Sequence, residues 1–211
     1  MTADMMVRSN IRRLGHLSTP EDCAIEDDEP LFAATREFAM EFGGPITRAF
    51  LQALPEVWQR EHLVIDSALM WLPVGAWAGP LIFHRERYTE SNEGAFNSAN
   101  RETDVEHIFV ILSPARLDVL IGDIPAHLAD SSLKLLWLDS KDEAVLRDAA
   151  LLTMLNHGEL HQDTISSGEI IHCGSSTFIR HVPAVQAGFH LFIRATRNSR
   201  QPLVNGFRTI V

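Results

Sequence analysis

Residues 189–196, with the sequence FHLFIRAT, alternate between apolar and mixed side chains. On a β-strand this alternation places the odd-numbered, apolar residues on one face and the even-numbered residues on the other. The apolar face is expected to pack outward against helices or a second sheet. The other face carries Arg194 and would line the interior of a barrel, where a guanidinium needs an anionic partner. That partner is either a ligand carboxylate or an internal protein carboxylate, and the sequence leaves both open.

The rest of the chain is rich in short strand patterns. Helices are predicted over residues 30–41, from Pro45 to residue 54, and over residues 141–155. Apolar stretches bounded by turn residues predict strands at 62–73, 80–84, 105–112, 116–121, 133–138, 160–165, 169–173, 177–183, 189–196 and 207–211. Two helices followed by so many short strands favour a mainly β fold, a barrel or sandwich with helical support.

Size and composition indicate one globular domain. The chain has 211 residues, of which 45% are hydrophobic and 22% charged. Residues 1–29 are polar and end in an acidic run, so they are expected to form an extended or poorly ordered arm with a solvated charge cluster, followed by a single domain over 30–211. Cys23 and Cys173 form no disulfide framework, and each is expected to be a small buried side chain.

The charge balance bears on partners and location. A net charge of −10 and a pI of about 5.4 argue against a nucleic-acid backbone or an anionic membrane as the main partner. No stretch approaches the ~18 consecutive apolar residues of a membrane span, and the start lacks the apolar core of a signal peptide. A cytoplasmic protein with a small-molecule substrate is expected, and a homodimer is left open.

A candidate metal site is spread over two segments. In LIFHRE (81–86) His84 and Glu86 are two residues apart, so both would point to the same face of a strand. In TFIRHV (177–182) His181 lies at a strand end. Two histidines and one carboxylate leave coordination positions open, which is typical of non-heme Fe(II) that binds an organic acid and O₂. Arg194 would be the bidentate partner of that acid's carboxylate.

Other histidines offer a competing set. His161 and Asp163 form an H-x-D pair near His157, but His157 follows the end of the predicted helix, where a histidine interacts favourably with the helix dipole. Asp163 and His172 are only nine positions apart, too few for the chain to cross a barrel between them. His107 lies in a strongly apolar predicted strand, which favours a hydrogen-bonded core histidine. The chain has no serine-hydrolase elbow, phosphate-binding loop, Rossmann fingerprint or paired zinc cysteines.

Several segments resemble small bacterial and phage proteins related to the Fe(II)/2-oxoglutarate-dependent oxygenases. They are GGPITRAFL (43–51), VIDSALMWL (64–72), EHI (106–108) and PAVQAGFHLFIRATRN (183–198), and the similarity extends over residues 43–211. The resemblance implies a double-stranded β-helix, that is, a jelly-roll or cupin-like barrel. It also implies that His84, Glu86 and His181 hold Fe(II) and that Arg194 grips the 2-oxoglutarate C5 carboxylate.

Two departures from this pattern keep an alternative open. Position 86 carries glutamate where aspartate is commoner. The relatives carry their distal histidine directly after the Thr-Phe that matches Thr177 and Phe178, a place occupied by Ile179 in this chain. His181 lies two residues further, about 6.6 Å along a strand. The alternative is a jelly-roll protein without iron, which binds a ligand or acts as an isomerase or cyclase.

Two surrounding features bear on the substrate. Residues 88–104 form a long polar segment, and loop 87–104 is expected either to close over a substrate or to be disordered. An apolar rim of Trp71, Trp77, Phe83 and Phe192 would suit a partly hydrophobic substrate. A plugged pocket would instead favour a structural or interaction module.

Overall fold

The computed structural model describes residues 6–19, 23–85, 105–130, 141–199 and 201–208. Its helices are α1 (Arg36–Phe42), α2 (Gly44–Ala53), α3 (Glu56–Gln59), α4 (Ala126–Asp130) and α5 (Lys141–Asn156). Its strands are β1 (Met6–Ser9), β2 (Ile11–His16), β3 (Leu31–Phe32), β4 (Val64–Leu72), β5 (His84–Arg85), β6 (Glu106–Leu112), β7 (Arg116–Pro125), β8 (His161–Ile165), β9 (Glu169–Gly174), β10 (Phe178–Val182), β11 (Gly188–Arg197) and β12 (Gly206–Phe207). The fold is mainly β with helical support, as predicted. The expected strand at 133–138 lies outside the described residues.

The strands form two five-stranded sheets and a small ribbon. One sheet has the order β2-β9-β6-β11-β4. The other has the order β1-β7-β10-β5, with β8 also paired to β7, and β3 pairs with β12. The described strand pairs are antiparallel. Consecutive strands from β4 to β7 alternate between the two sheets: β4 and β6 lie in the first sheet, and β5 and β7 lie in the second.

The alternation in FHLFIRAT is confirmed by the packing of β11. Leu191, Ile193 and Ala195 are buried with residues of α1, α2 and α3 on the outer face of the first sheet. Phe192 points the other way and packs on the core between the sheets, beside Phe109. That inner core is built from both sheets, by Phe109, Ile111, Leu117, Val119, Ile165, Ile171, Cys173 and Ile179. Burial of these apolar faces holds the two sheets together.

The first helix begins later than predicted. Leu31 and Phe32, expected to be helical, pair with Phe207 and Gly206 as the ribbon β3-β12. The helix begins at Arg36 because the Thr35 hydroxyl accepts a hydrogen bond from the Phe38 N–H at 3.1 Å, which caps its first turn. The strand expected at 80–84 is also shorter, since only residues 84–85 pair.

The N-terminal segment is part of the sheets, so the prediction of an arm over residues 1–29 is wrong for residues 6–16. Met6–Ser9 pairs with residues 122–125 of β7, and Ile11–His16 pairs with β9 in the other sheet. Arg13 then joins the sheet edges by ion pairs to Asp163 at 2.7 Å and Glu169 at 2.8 Å. These strands were not predicted because their side chains are mostly polar. Edge strands are held by backbone hydrogen bonds and do not need alternating apolar residues in their sequence.

One residue of the acidic run, Asp28, is not part of a solvated charge cluster as expected. Asp28 is 2% exposed, not solvated. Its carboxylate oxygens accept hydrogen bonds from the N–H groups of Ile46 at 2.9 Å and Thr47 at 2.8 Å, in the first turn of α2. Burial raises the pKa of the Asp28 carboxyl although these bonds favour its charged form. Within the described ranges, no helix is long and apolar enough to cross a membrane.

Candidate functional site

Strands β5 and β10 bring two of the predicted site residues together. His84 pairs in register with Ile179, and His181 follows two residues along β10, so all three side chains share one face. Ile179 is 2% exposed and belongs to the core between the sheets, which identifies this face as the inner one. His84 is buried on it, and His181 is half-buried. The two imidazole rings are nearly parallel, at 14°, with their centres 6.3 Å apart.

The His84 ring is oriented by the backbone. Its Nδ1 lies 3.1 Å from the carbonyl oxygen of Ile82. Because a carbonyl oxygen only accepts, Nδ1 carries the hydrogen in this contact and Nε2 keeps the lone pair. A histidine that binds a metal through Nε2 is commonly held in this way.

The segment before β5 covers His181. The His181 N–H donates to the Pro80 carbonyl at 2.9 Å, and the Ala184 N–H donates to Ala76 at 2.8 Å. A Cβ on Gly79 would collide with Nε2 of the His181 ring, so the ring can stay in this position only with glycine at residue 79. The Nε2 edge of His181 therefore packs against the backbone of this segment.

The ring separation bears on metal binding. Two histidines that bind one ion through nitrogens about 2.1 Å away, at angles of roughly 90–110°, have ring centres about 4.5–5.3 Å apart. The observed 6.3 Å is longer than that range. Binding of one ion by both rings would therefore require rotation about the side-chain torsions of His84 and His181 that shortens this separation by about 1–2 Å.

A third histidine extends the row. His190, on β11 of the opposite sheet, has its ring centre 6.3 Å from that of His181. Its Nδ1 lies 2.7 Å from Ser113 Oγ, and the Ala115 N–H donates to the same oxygen at 2.9 Å. His190 is 3% exposed, and burial lowers its pKa from 6.5 to about 4. The ring is therefore neutral at pH 7.

Arg194 has a protein carboxylate beside it. It pairs in register with Asp66 on β4, and its Nη2 lies 3.8 Å from Asp66 Oδ2. Both side chains are buried, at 9% and 3% exposure. The other carboxylate oxygen, Oδ1, accepts from the Ala33 N–H and from Arg208 Nη2, each at 3.1 Å. Of the two partners left open by the sequence, the protein carboxylate is present, at a distance typical of a long ion pair without a hydrogen bond.

Two predicted features lie outside the described residues. These are Glu86, the expected carboxylate ligand, and the loop 87–104, the expected lid. Among the residues that the structure does describe, no group of three or more His, Cys, Asp and Glu side chains is placed to hold a metal ion.

The competing histidines have other contacts. Asp163 is held by Arg13, whose hydrogen bond lowers the pKa of that carboxyl, and His157 is exposed beside Glu159. His107 is 1% exposed, and its Nδ1 lies 3.0 Å from Thr196 Oγ1, which confirms a hydrogen-bonded core histidine.

The predicted apolar rim is corrected in part. Phe83 is 1% exposed and packs with α5 residues on the outer face of the second sheet, under the guanidinium of Arg180. Trp71 is exposed but lies against Phe189, on the outer face of the first sheet. Trp77 is exposed on the segment that covers His181.

Two concavities lie elsewhere on the described part of the protein, one of them lined by Arg197. One includes Glu106 and His172, and the other includes Glu61 and His62. Arg197 binds Glu61 at 3.0 Å and Glu106 at 2.7 Å, and Glu106 also binds His172 at 2.7 Å. The hydrogen bonds from His172 and Arg197 lower the pKa of the Glu106 carboxyl, despite its desolvation. The charges of Glu61, Glu106 and Arg197 are therefore paired with one another within the protein.

Sequence reasoning did not single out Asp66, Ser113 and His190. For Asp66 a signal existed, because it is an isolated carboxylate in the apolar stretch VIDSALMWL. For His190 and Ser113 the pairing of β11 with β6 was needed, because it places the two side chains next to each other.

Comparison with known proteins adds little. No family model matches the chain, and no curated protein matches it. A crystal structure of AviO1 from Streptomyces viridochromogenes Tue57 is similar over 93% of this chain and 94% of that chain, with 12% identity and a TM-score of 0.41. At this TM-score the similarity carries no inference about the fold or the function.

Proposed function

We propose that the chain is an Fe(II)/2-oxoglutarate-dependent oxygenase that hydroxylates a small molecule, built on a jelly-roll barrel. The strand order supports the fold. The run β9-β6-β11-β4 in one sheet and β8-β7-β10-β5 in the other is the order that two interleaved Greek keys give in a double-stranded β-helix. His84 would then follow the first crossing between the sheets, and Arg194 would lie on the last barrel strand.

The observation that carries the proposal is the placement of His84 and His181. They are 97 residues apart in sequence, yet β5 and β10 put their rings on one inner face with centres 6.3 Å apart. Imidazole nitrogen is a good ligand for Fe(II), and His84 presents Nε2 with its lone pair while Nδ1 is bound to the backbone. The donor type fits the ion, whereas the ring separation of 6.3 Å is too long as it stands, so binding by both histidines would require their side chains to rotate.

In the proposed site His84, His181 and Glu86 would hold Fe(II), and Arg194 would bind a carboxylate of 2-oxoglutarate. The bound iron, with 2-oxoglutarate and O₂, supplies the oxidising power for hydroxylation of a C–H bond. The chain's own residues have simpler tasks. The Ile82 carbonyl fixes the tautomer of His84, and the buried apolar side chains between the sheets keep water away from the inner face.

A second candidate function is favoured by two specific observations. Ile179, and not a histidine, lies directly opposite His84 in the strand register, and the Nε2 edge of His181 packs against Gly79. Both suit a jelly-roll protein that binds its ligand, or isomerises or cyclises it, without iron. In that case the neutral His190 and the nearby Ser113 would be the groups available for proton transfer.

Anaerobic titration with Fe(II) separates the two functions. The metal-free protein would be titrated with Fe(II) and then with 2-oxoglutarate, with bound iron measured after gel filtration and the weak visible band of the chelate recorded. We expect one equivalent of iron, and a loss of at least about tenfold in affinity for His84→Ala and for His181→Ala.

His62→Ala is the matched control, because His62 is an exposed histidine outside the site. It should bind iron like the wild type. Iron binding that is absent, or unchanged in His84→Ala, would reject the oxygenase and leave the metal-free function.

A further inference from the structure

Asp66 is held in position independently of Arg194. Its Oδ1 accepts from the Ala33 N–H and from Arg208, each at 3.1 Å. Its Oδ2 has no hydrogen-bond partner among the described residues and lies 3.8 Å from Arg194 Nη2. The Asp66 side chain is only 3% exposed, so its charge is poorly screened by water.

A ligand carboxylate at Arg194 would meet this fixed negative charge. The bidentate hydrogen bonds that a guanidinium makes to a free carboxylate are stronger than an ion pair at 3.8 Å, so the contact with Asp66 does not by itself prevent a ligand from binding Arg194. The ligand carboxylate is repelled by Asp66 Oδ2 when it binds, because two negatively charged carboxylates in one site destabilise each other. Arg208 reduces that repulsion by binding the same carboxylate from the other side.

We propose that Asp66 is a built-in competitor for the anionic ligand of Arg194 and that Arg208 sets the strength of the competition. The identification of this ligand as 2-oxoglutarate rests on the proposed function. The competition predicts effects of opposite sign: removing the Asp66 charge tightens ligand binding, and removing the Arg208 charge weakens it. A purely structural role of Asp66 in anchoring β3 to β4 predicts that both changes weaken binding or leave it unchanged.

The test is isothermal titration calorimetry on the full-length chain in two arms. In one arm 2-oxoglutarate is added to protein loaded anaerobically with Fe(II). In the other arm glutarate, a dicarboxylate without the 2-oxo group, is added to metal-free protein. The variants are Asp66→Asn, Arg208→Gln and Arg194→Gln, each checked by thermal unfolding. Asparagine keeps an oxygen for the Ala33 N–H, so the fold is expected to survive.

In both arms we expect Asp66→Asn to bind about tenfold more tightly than the wild type, and Arg208→Gln to bind severalfold more weakly. Arg194→Gln should abolish glutarate binding. Weaker or unchanged binding by Asp66→Asn, or tighter binding by Arg208→Gln, overturns the inference even if iron and 2-oxoglutarate bind as proposed. Absence of binding in both arms also overturns it.

Failure of the proposed function gives a different pattern. In that case iron is not retained, but the order of affinities for glutarate is still Asp66→Asn, wild type, Arg208→Gln. That order alone supports the competitor role of Asp66.

Discussion

The neutral, buried state of His190 makes folding stability depend on pH in a specific window. The pKa of the ring is lowered from 6.5 to about 4, and desolvation by burial is the cause. Since one pKa unit corresponds to about 1.4 kcal/mol, the folded state favours the neutral ring by about 3 kcal/mol. The unfolded chain takes up a proton near pH 6.5, whereas the folded chain does so only near pH 4. The contribution of His190 is therefore fully present above pH 6.5 and is lost as the pH falls toward 4.

The perturbation is His190→Gln, which keeps a polar group near Ser113 and removes the titration. Urea unfolding of the metal-free proteins, with a chelator present, would give the free energy of unfolding across the pH range. Between about pH 7.5 and about pH 5 the wild type should lose about 2 kcal/mol relative to the variant. His62→Gln is the control, because the exposed ring of His62 meets water in both the folded and the unfolded chain.

Two results would refute this reasoning. The first is a difference between wild type and His190→Gln that stays constant from about pH 7.5 to about pH 5. The second is an NMR titration in which the His190 ring of the folded protein gains its proton near pH 6.5, the ordinary value. Either result would mean that water reaches the ring.

Three further predictions concern stability and the site. Asp118→Ala should cost about 2 kcal/mol, because it removes the carboxylate that binds the Arg180 guanidinium at 2.9 Å and accepts a hydrogen bond from Thr164 Oγ1. A double-mutant cycle with Arg180→Ala should give a coupling of about 1–2 kcal/mol in urea unfolding. Asp28→Ala should cost about 2 kcal/mol in thermal unfolding, since two N–H groups of α2 lose their acceptor. Gly79→Ala should displace the His181 ring, and an unchanged imidazole NMR spectrum would contradict the contact.

The strand pattern was readable because burial imposes a period of two on β11, where one face meets the helices and the other the second sheet. The helix over residues 141–156 was predicted well for a different reason, because that segment is a long run of residues with high helix propensity. The strands of the N-terminal segment were missed because they are held by backbone pairing to β7 and β9, which leaves no apolar pattern in the sequence.

By itself the sequence determined the mainly β class, the inward direction of Arg194, and His84, Glu86 and His181 as candidate ligands. The tertiary structure alone decided which of these side chains meet. The strand register puts Ile179 opposite His84 and His181 on the diagonal, and the same pairing puts Asp66 beside Arg194. Register depends on contacts between segments far apart in the chain, and a shift of one residue turns every side chain to the other face. The local propensities of the residues therefore do not predict the strand register.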